Sequence, residues 1–237
     1  PNEDTQYDVY RQMIEWAQGR PVTIRTLDAG GDKPIKGLTI DGESNPFLGV
    51  RGVRLSLARP EIFRVQLRAL LRAAVHGPLK VMVPMVTVPA ELDAVRMLMG
   101  NAYHDLKREG FTVAVPALGM MIEVPAAALA LSHFNADFYS IGSNDLIQYT
   151  MAAGRDIGAV AALADARHPA FLRLIEIVAA YGAQNNIEVS LCGDAGGDPA
   201  LIPYLLQAGI RTLSVAPGLV GAAKLAISET NIAEKGR

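Results

Sequence analysis

The sequence has 237 residues, of which 50% are hydrophobic and 19% are charged, and its formal net charge at pH 7 is −2. This composition excludes general disorder, and the near-neutral charge argues against a general nucleic-acid or polybasic membrane binder. A single cysteine excludes an internal disulfide and is typical of a reducing, cytoplasmic setting. No apolar run reaches the ~18 residues of a membrane span, and no signal peptide precedes the first predicted strand.

Strands and helices alternate after an amphipathic lead-in helix, which is predicted over residues 1–20. Strands are predicted at Val22–Leu27, Leu48–Leu55, Leu79–Val86, Leu118–Glu123, Asp137–Ser143, Glu188–Cys192 and Thr212–Ala216. Helices are predicted at Glu61–His76, Pro89–Arg108, Pro125–Phe134, Leu146–Ala153, Pro169–Gln184, Pro199–Ala208 and Leu219–Ser228. This alternation indicates a parallel sheet with covering helices.

The strand count favours a (β/α)8 TIM barrel over an open sheet. The missing sixth strand is expected in residues 154–168, which are rich in alanine and glycine. The sequence shows no internal repeat and no low-complexity linker, so we expect one domain: a barrel over residues 21–228 and a charged tail over residues 229–237. Because the first residue is a proline rather than a methionine, we also expect the chain to be a piece of a longer protein.

Two acidic residues stand where predicted strands end. Glu123 follows the apolar run that begins at Leu118, and Asp145 follows the run that begins at Phe138. In a parallel sheet both carboxylates would emerge at the same edge, and hard oxygen ligands of this kind suit Mg²⁺ that also contacts a substrate phosphate. The alternative is that each is a helix N-cap or first-turn carboxylate.

Arginines near predicted strand ends are candidates for binding an anion. Arg25 lies inside the first strand among apolar neighbours, and Arg51 lies in the predicted second strand. Arginine binds phosphate and carboxylate in a bidentate manner, and the alternative for either residue is an ion pair with a local Asp or Glu. Arg155, beyond Asp145 in the chain, could close over the same anion, and a solvated position remains the alternative.

Cys192 ends a predicted strand and precedes a glycine. It is either a small buried residue or, at the mouth of a barrel, a thiol that donates or accepts a proton. The four histidines show no metal-ligand or triad spacing, and we interpret all of them as structural. The phosphate-binding loop of P-loop proteins, the dinucleotide-binding fingerprint and the serine-hydrolase elbow are all absent from the sequence.

Five segments resemble the C-terminal domain of the phosphoenolpyruvate–protein phosphotransferase family, enzyme I of the bacterial phosphotransferase system. They are Ile24-Arg-Thr-Leu-Asp-Ala-Gly-Gly-Asp-Lys33, Asn45-Pro-Phe-Leu-Gly-Val-Arg51, Gly119-Met-Met-Ile-Glu-Val-Pro-Ala126, Phe138-Tyr-Ser-Ile-Gly-Ser-Asn-Asp-Leu-Ile-Gln-Tyr-Thr150 and Cys192-Gly193. The resemblance runs from about Pro1 to about Ile227.

The resemblance implies a phosphoenolpyruvate-binding, Mg²⁺-dependent domain of a cytoplasmic phosphotransferase. By it, Glu123 and Asp145 hold Mg²⁺, whereas Arg25, Arg51 and Arg155 bind the phosphate; Asn144 contacts the substrate, and Cys192 exchanges a proton with the methylene carbon of enolpyruvate. The phosphoryl group passes to a histidine on the protein's own N-terminal domain, absent here, and then to a histidine phosphocarrier, and pyruvate is released. The resemblance also implies a homodimer, and we expect no nucleic acid or membrane among the partners.

Some positions depart from the family pattern, and they leave alternatives open. Asp194 stands where the family usually has glutamate, Gly154 where it has aspartate, and Asp156-Ile157 where it has Gly-Asn. The alternatives are a domain of a pyruvate phosphate dikinase or phosphoenolpyruvate synthase type of enzyme, or a catalytically impaired sensing or dimerisation module. None of the histidines lies in the family's phosphohistidine motif, so we expect this chain alone to be inactive.

Overall fold

The structure is a computed structural model that describes residues 2–31, 33–40 and 42–231. The chain divides into two compact units. The first comprises Pro1–Met120 with Phe134–Asp137, and the second comprises Met121–His133 with Phe138–Arg237. The boundary between the units falls within one strand, Ala117–Ile122. Within the described ranges, no helix is both long and apolar enough to cross a membrane.

The described residues form an α/β fold with one parallel five-stranded sheet. Its strands are β1 (Val22–Arg25), β2 (Leu79–Val83), β3 (Ala117–Ile122), β4 (Phe138–Gly142) and β5 (Glu188–Cys192). Their order in the sheet follows their order in the chain. The helices are α1 (Glu3–Trp16), α2 (Val53–Ala58), α3 (Pro60–Ala73), α4 (Pro89–Arg108), α5 (Pro125–Leu129), α6 (Ser143–Met151), α7 (Pro169–Asn185), α8 (Asp194–Gly197), α9 (Ile202–Gln207) and α10 (Val220–Glu229).

In the first unit, β1 pairs with β2, and β2 pairs with the first part of β3. The strands are apolar because helices cover them, and Val81 and Val83 of β2 are fully buried. The lead-in helix α1 packs against α3, where the guanidinium groups of Arg68 and Arg72 both bind Glu3. The predicted lead-in helix is therefore an integral part of this unit.

In the second unit, β4 pairs with β5 in a register that sets Gly142 opposite Cys192. All five residues of β4 are buried. A smaller apolar cluster lies between α9 and α10, formed by Ile202, Leu206 and Ala223. The strand register therefore fixes which residues share the carboxyl edge of this part of the sheet.

Three of the predicted strands differ in the structure. The predicted strand at Leu48–Leu55 is wrong: a turn-rich loop leads into α2, because Gly52 has φ +56° and breaks any extended run. Residues 154–168 contain a short 3-10 helix at Ala161–Leu163 and no strand. At Thr212–Ala216 there is only an isolated bridge from Leu213 to Leu191. The described residues therefore show five strands, and a complete eight-stranded barrel stays a prediction.

Candidate functional site

In the first unit, three cationic side chains surround one buried carboxylate. Asp28, just beyond β1, accepts hydrogen bonds from Nη2 of Arg51 at 3.1 and 3.3 Å to its two oxygens. Nη1 of Arg25 lies 3.2 Å from Oδ2 of Asp28, and Nζ of Lys33 lies 3.5 Å from the same oxygen. We call these four residues the Asp28 cluster. It carries an excess of two positive charges, which favours an anion.

The members of the Asp28 cluster differ in exposure. The side chain of Asp28 is 1% exposed and that of Arg51 is fully buried, whereas Arg25 and Lys33 are 36% and 46% exposed. A buried guanidinium is costly unless it is paired, and Asp28 supplies that partner. Arg25 and Lys33 are therefore the members that face solvent.

Two glycines allow the backbone to approach the Asp28 cluster closely. Gly30 has φ +104°, and a Cβ there would lie 2.8 Å from Cβ of Arg51. Gly52 has φ +56°, and a Cβ there would lie 2.7 Å from Cβ of Met85 and 3.4 Å from Oδ1 of Asp28. These positions need glycine both for the left-handed backbone and for the space. Gly30 and Gly52 therefore let the backbone of both loops approach Arg51 and Asp28 more closely than a residue with a side chain would allow.

The loop that carries Arg51 is held by its own side chains. Oε1 of Glu43 accepts a hydrogen bond from the amide of Val50 at 2.9 Å. Arg54 donates to the carbonyl oxygens of Leu48 and Gly49, both at 3.1 Å, and to Oγ1 of Thr87 at 3.0 Å. Arg54 is therefore a structural residue of this loop, whereas Arg51 belongs to the Asp28 cluster.

In the second unit, Glu123 follows directly after β3 and is 1% exposed. The backbone of Gly142, the last residue of β4, lies against its carboxylate, since a Cβ at Gly142 would be 2.7 Å from Oε2 of Glu123. A buried carboxylate requires a cation or hydrogen-bond donors. Glu123 therefore lies where the sequence predicted it, at the carboxyl end of a buried strand.

Asp145 lies in the first turn of α6, three residues beyond β4, and is 6% exposed. Nη1 of Arg155 is 4.0 Å from its Oδ1, and the amide of Arg155 donates to Oε1 of Gln148 at 3.4 Å. Asp145 is thus both a first-turn carboxylate and a strand-end carboxylate. The two interpretations offered by the sequence do not exclude each other, because the short strand leads directly into the helix.

Asn144 is fixed by Asp194 of α8. Its Nδ2 donates to Oδ2 of Asp194 at 3.0 Å, and its Oδ1 accepts from the amide of Asp194 at 2.9 Å. A Cβ at Gly193, which has φ +94°, would lie 2.8 Å from the same Oδ1. Asn144, Arg155 and Asp194 line a cavity of about 270 Å³ within this unit. The amide of Asn144 is therefore held in a fixed orientation at a cavity of ligand size.

Cys192 is the last residue of β5 and is partly exposed. Oγ of Ser140 donates to its Sγ at 3.8 Å. The register sets Cys192 opposite Gly142, which in turn lies against Glu123. The carboxylate, the glycine and the thiol thus share the carboxyl edge of the strands of the second unit.

The structure divides the sequence-predicted residues between the units. Arg25 and Arg51 meet at Asp28 in the first unit. Glu123, Asn144, Asp145, Arg155 and Cys192 all belong to the second. Among the residues described, no group of three or more His, Cys, Asp or Glu side chains is arranged to hold a metal ion. The carboxylates of Glu123 and Asp145, together with oxygen ligands from substrate or water, would form a donor set of the kind that fits Mg²⁺.

Sequence reasoning missed the roles of Asp28, Lys33, Gly142 and Asp194. Asp28 lies just beyond a predicted strand, as Glu123 does, and Lys33 is five positions further along the chain. Gly142 occupies a position in β4 where a side chain would collide with Glu123. These partners depend on tertiary contacts, so the strand-end position was the one available signal for Asp28.

Comparison with known proteins identifies the family. The model of the family described as PEP-utilising enzyme, PEP-binding domain, matches residues 1–232. The chain belongs to this family. It is 45% identical over 218 residues to the phosphoenolpyruvate-protein phosphotransferase of Bacillus sp. (strain S), covering 91% of this chain and 38% of that protein. It is 43% identical over 238 residues to that of Mycoplasma pneumoniae, covering 99% and 41% respectively. The chain thus spans about two fifths of the length of these relatives.

Solved structures show the same fold at low sequence identity. The magnesium–glyoxylate complex of Haloferax volcanii malate synthase matches with a TM-score of 0.61 at 13% identity, covering 99% of this chain and 62% of that one. A citrate lyase from Burkholderia xenovorans LB400 matches with a TM-score of 0.51 at 16% identity, covering 69% and 53%. At these identities the likeness concerns the fold alone.

Proposed function

We propose that this chain is the Mg²⁺-dependent, phosphoenolpyruvate-binding domain of a phosphoenolpyruvate–protein phosphotransferase. The observation that carries the proposal is the pair of buried carboxylates, Glu123 and Asp145, at the carboxyl ends of β3 and β4. Carboxylates this deeply buried suit a divalent cation, and the names of the relatives at 43% and 45% identity support the substrate.

The Asp28 cluster supplies positive charge for the phosphoryl group. Arg25 and Lys33 face solvent and would contact phosphate oxygens, while Arg51 adds its charge from the buried side. In the second unit, Arg155 and Asn144 line a cavity and are proposed as substrate ligands. Charge at the phosphoryl oxygens matters because phosphoryl transfer is catalysed mainly by positioning and electrostatics.

Glu123 and Asp145 are the residues that would hold Mg²⁺. When bound, the ion supplies positive charge to the oxygens of the phosphoryl group and of the enolate. The side chain of Asn144, fixed by Asp194, orients the substrate beside them. In this proposal the bond between the enol oxygen and phosphorus breaks as a bond from phosphorus to a histidine nitrogen forms.

Cys192 is proposed to exchange a proton with the substrate carbon. The enolate left by phosphoryl transfer becomes pyruvate when its methylene carbon gains one proton, and a thiol can donate it. Ser140 hydrogen-bonds the sulfur, and the thiol shares the carboxyl strand edge with Glu123. These contacts support a chemical role for Cys192 over that of an inert core residue.

We propose that the acceptor histidine lies on a separate N-terminal domain and passes the phosphoryl group to a histidine phosphocarrier. Structural partners support a structural role for two of the histidines: Nε2 of His76 hydrogen-bonds the hydroxyl of Tyr7 at 2.9 Å, and Nδ1 of His168 accepts from the amide of Ala170 at 3.2 Å.

A cytoplasmic location, a homodimer and a complete eight-stranded barrel belong to the same proposal. Incubation of the chain with phosphoenolpyruvate and Mg²⁺ is then expected to give no pyruvate, and sedimentation is expected to show a dimer.

Thermal unfolding tests the proposed ligands. A ligand that binds only the folded state raises the melting temperature, so phosphoenolpyruvate with Mg²⁺ should raise it more than either does alone. Enzymes of the pyruvate phosphate dikinase and phosphoenolpyruvate synthase types also bind phosphoenolpyruvate, so a shift in melting temperature does not distinguish them from a phosphotransferase. Phosphorylation of an added N-terminal histidine domain, measured by mass spectrometry, would favour the phosphotransferase over them. An unchanged melting temperature with both ligands present would contradict the proposal.

A further inference from the structure

The carboxylate of Asp28 is the shared partner of three cationic side chains. Both of its oxygens accept from Arg51, and Oδ2 also lies within 3.5 Å of Arg25 and Lys33. Its side chain is 1% exposed, so this carboxylate is shielded from bulk water. Each of the three cations therefore takes its position from one anionic centre.

Asp28 also joins two loops of the first unit. It follows β1, whereas Arg51 lies 23 residues later in the loop before α2. A backbone hydrogen bond of 3.4 Å from the amide of Gly52 to the carbonyl of Ala29 runs beside the ion pair. The glycines at 30 and 52 leave room for this approach. The arrangement of these two loops therefore depends on the Asp28–Arg51 ion pair that joins them.

A negative charge in an anion-binding cluster disfavours the anion, because like charges repel one another. Removing it would raise the excess of positive charge from two to three and should tighten binding if charge alone mattered. Without it, however, three cations would repel one another, and the buried guanidinium of Arg51 would lose the carboxylate that accepts two hydrogen bonds from its Nη2. The two effects have opposite signs, so the sign of a measured change identifies which one dominates.

We propose that Asp28 is a positioning residue that holds Arg25, Lys33 and Arg51 in the arrangement that binds a phosphoryl group. The proposal rests on the proposed function, since it assigns a further residue to the same phosphate site. Asp28 itself does not contact the substrate. It acts by pairing the buried guanidinium of Arg51 and by keeping the two exposed cations close together.

The test is the substitution Asp28→Asn, which is nearly isosteric and removes the charge. Calorimetric titration with phosphoenolpyruvate and Mg²⁺ should show binding weakened by about tenfold or more, although the protein has lost a negative charge. The matched control is Asp105→Asn, which removes a carboxylate paired with Arg64 and Arg108 in the same unit. The control should retain wild-type affinity, because that pair lies outside the Asp28 cluster.

A second variant and a spectroscopic measurement test whether Asp28 positions the arginines. Asp28→Glu keeps the charge but moves the carboxylate by one methylene, so its binding should also weaken. The Nε–Hε signals of Arg51 and Arg25 in a ¹⁵N-resolved spectrum should lose their ordered positions in Asp28→Asn and keep them in Asp105→Asn. Equal or tighter phosphoenolpyruvate binding by folded Asp28→Asn would overturn the proposal. If the wild-type protein itself failed to bind, the proposed function would fail, whereas unchanged arginine signals would refute the positioning role independently.

Discussion

The backbone of Gly142 lies against the carboxylate of Glu123. A Cβ at Gly142 would come within 2.7 Å of Oε2 of Glu123 and 2.9 Å of Sδ of Met121. The backbone itself does not require glycine, because φ is −86° and ψ is 88°. Glycine at this position therefore leaves space for the carboxylate of Glu123. The end of β4 is in this way packed directly against the proposed metal ligand.

Gly142→Ala should weaken Mg²⁺-dependent binding of phosphoenolpyruvate by about tenfold to a hundredfold. The added methyl group forces the carboxylate of Glu123 to shift, and displacements of about an ångström have effects of this size at ordered sites. Calorimetry measures the change. Gly158→Ala is the matched control, because a Cβ there meets nothing within 4 Å. Equal affinities of the two variants would show that the position of Glu123 is unimportant.

Glu123→Gln and Asp145→Asn should each reduce Mg²⁺-dependent phosphoenolpyruvate binding by more than about a hundredfold while circular dichroism shows an intact fold. Each substitution removes a formal charge at the proposed metal with little change of volume. Asp156→Asn is the control, since this carboxylate is 63% exposed and lies 3.9 Å from Arg155. If both site variants bound normally, the carboxylates would be helix-terminal residues without a metal.

Cys192→Ala should leave the affinity for phosphoenolpyruvate nearly unchanged. It should slow deuterium incorporation at the methyl group of pyruvate, in the intact protein, by about a hundredfold or more, because the proposed proton donor is lost. Nuclear magnetic resonance follows the exchange directly. Ser140→Ala, which keeps the thiol but removes its hydrogen-bond donor, should retain most of the rate. Deuterium incorporation at the wild-type rate by Cys192→Ala would show that Cys192 has only a packing role.

Tyr139→Phe should raise the free energy of unfolding by about 1 kcal/mol, because an unsatisfied buried hydroxyl is unfavourable. Tyr139 is fully buried in β4, and its hydroxyl has no hydrogen-bond partner among the described residues. The same burial raises the pKa of Tyr139 to about 12. Tyr204→Phe, at a tyrosine that is 43% exposed, should change the stability little. Urea denaturation measures both, and a loss of stability in Tyr139→Phe would show that the hydroxyl has a bound partner.

Much of the fold followed from periodicity and capping signals. The α4 helix runs from Pro89 to Arg108 as predicted, because a proline at its first turn and a long amphipathic pattern mark it clearly. The strand predicted at Leu48–Leu55 failed because its apolar residues belong to a glycine-containing loop and to α2. Short apolar runs do not distinguish a strand from a buried helix, and in this segment the tertiary environment determines which structure forms.

The candidate site was predictable where it depends on strand ends. Glu123 and Cys192 lie at the carboxyl ends of β3 and β5, as the apolar runs before them indicated. Arg51, in contrast, reaches the Asp28 cluster of the first unit from a loop, and its partner Asp28 is 23 residues away in the chain. Such pairings arise from loop geometry, which a single sequence does not determine.

Glu123 and Asp145 are proposed to make phosphoenolpyruvate binding depend on Mg²⁺. The most direct measurement is a calorimetric titration of the chain with phosphoenolpyruvate, carried out with Mg²⁺ and again after addition of a chelator, alongside Glu123→Gln. We expect one saturable binding event with Mg²⁺, which is lost with the chelator and absent in Glu123→Gln. Binding of equal affinity under all three conditions, or no binding by the wild-type chain with Mg²⁺, would contradict it.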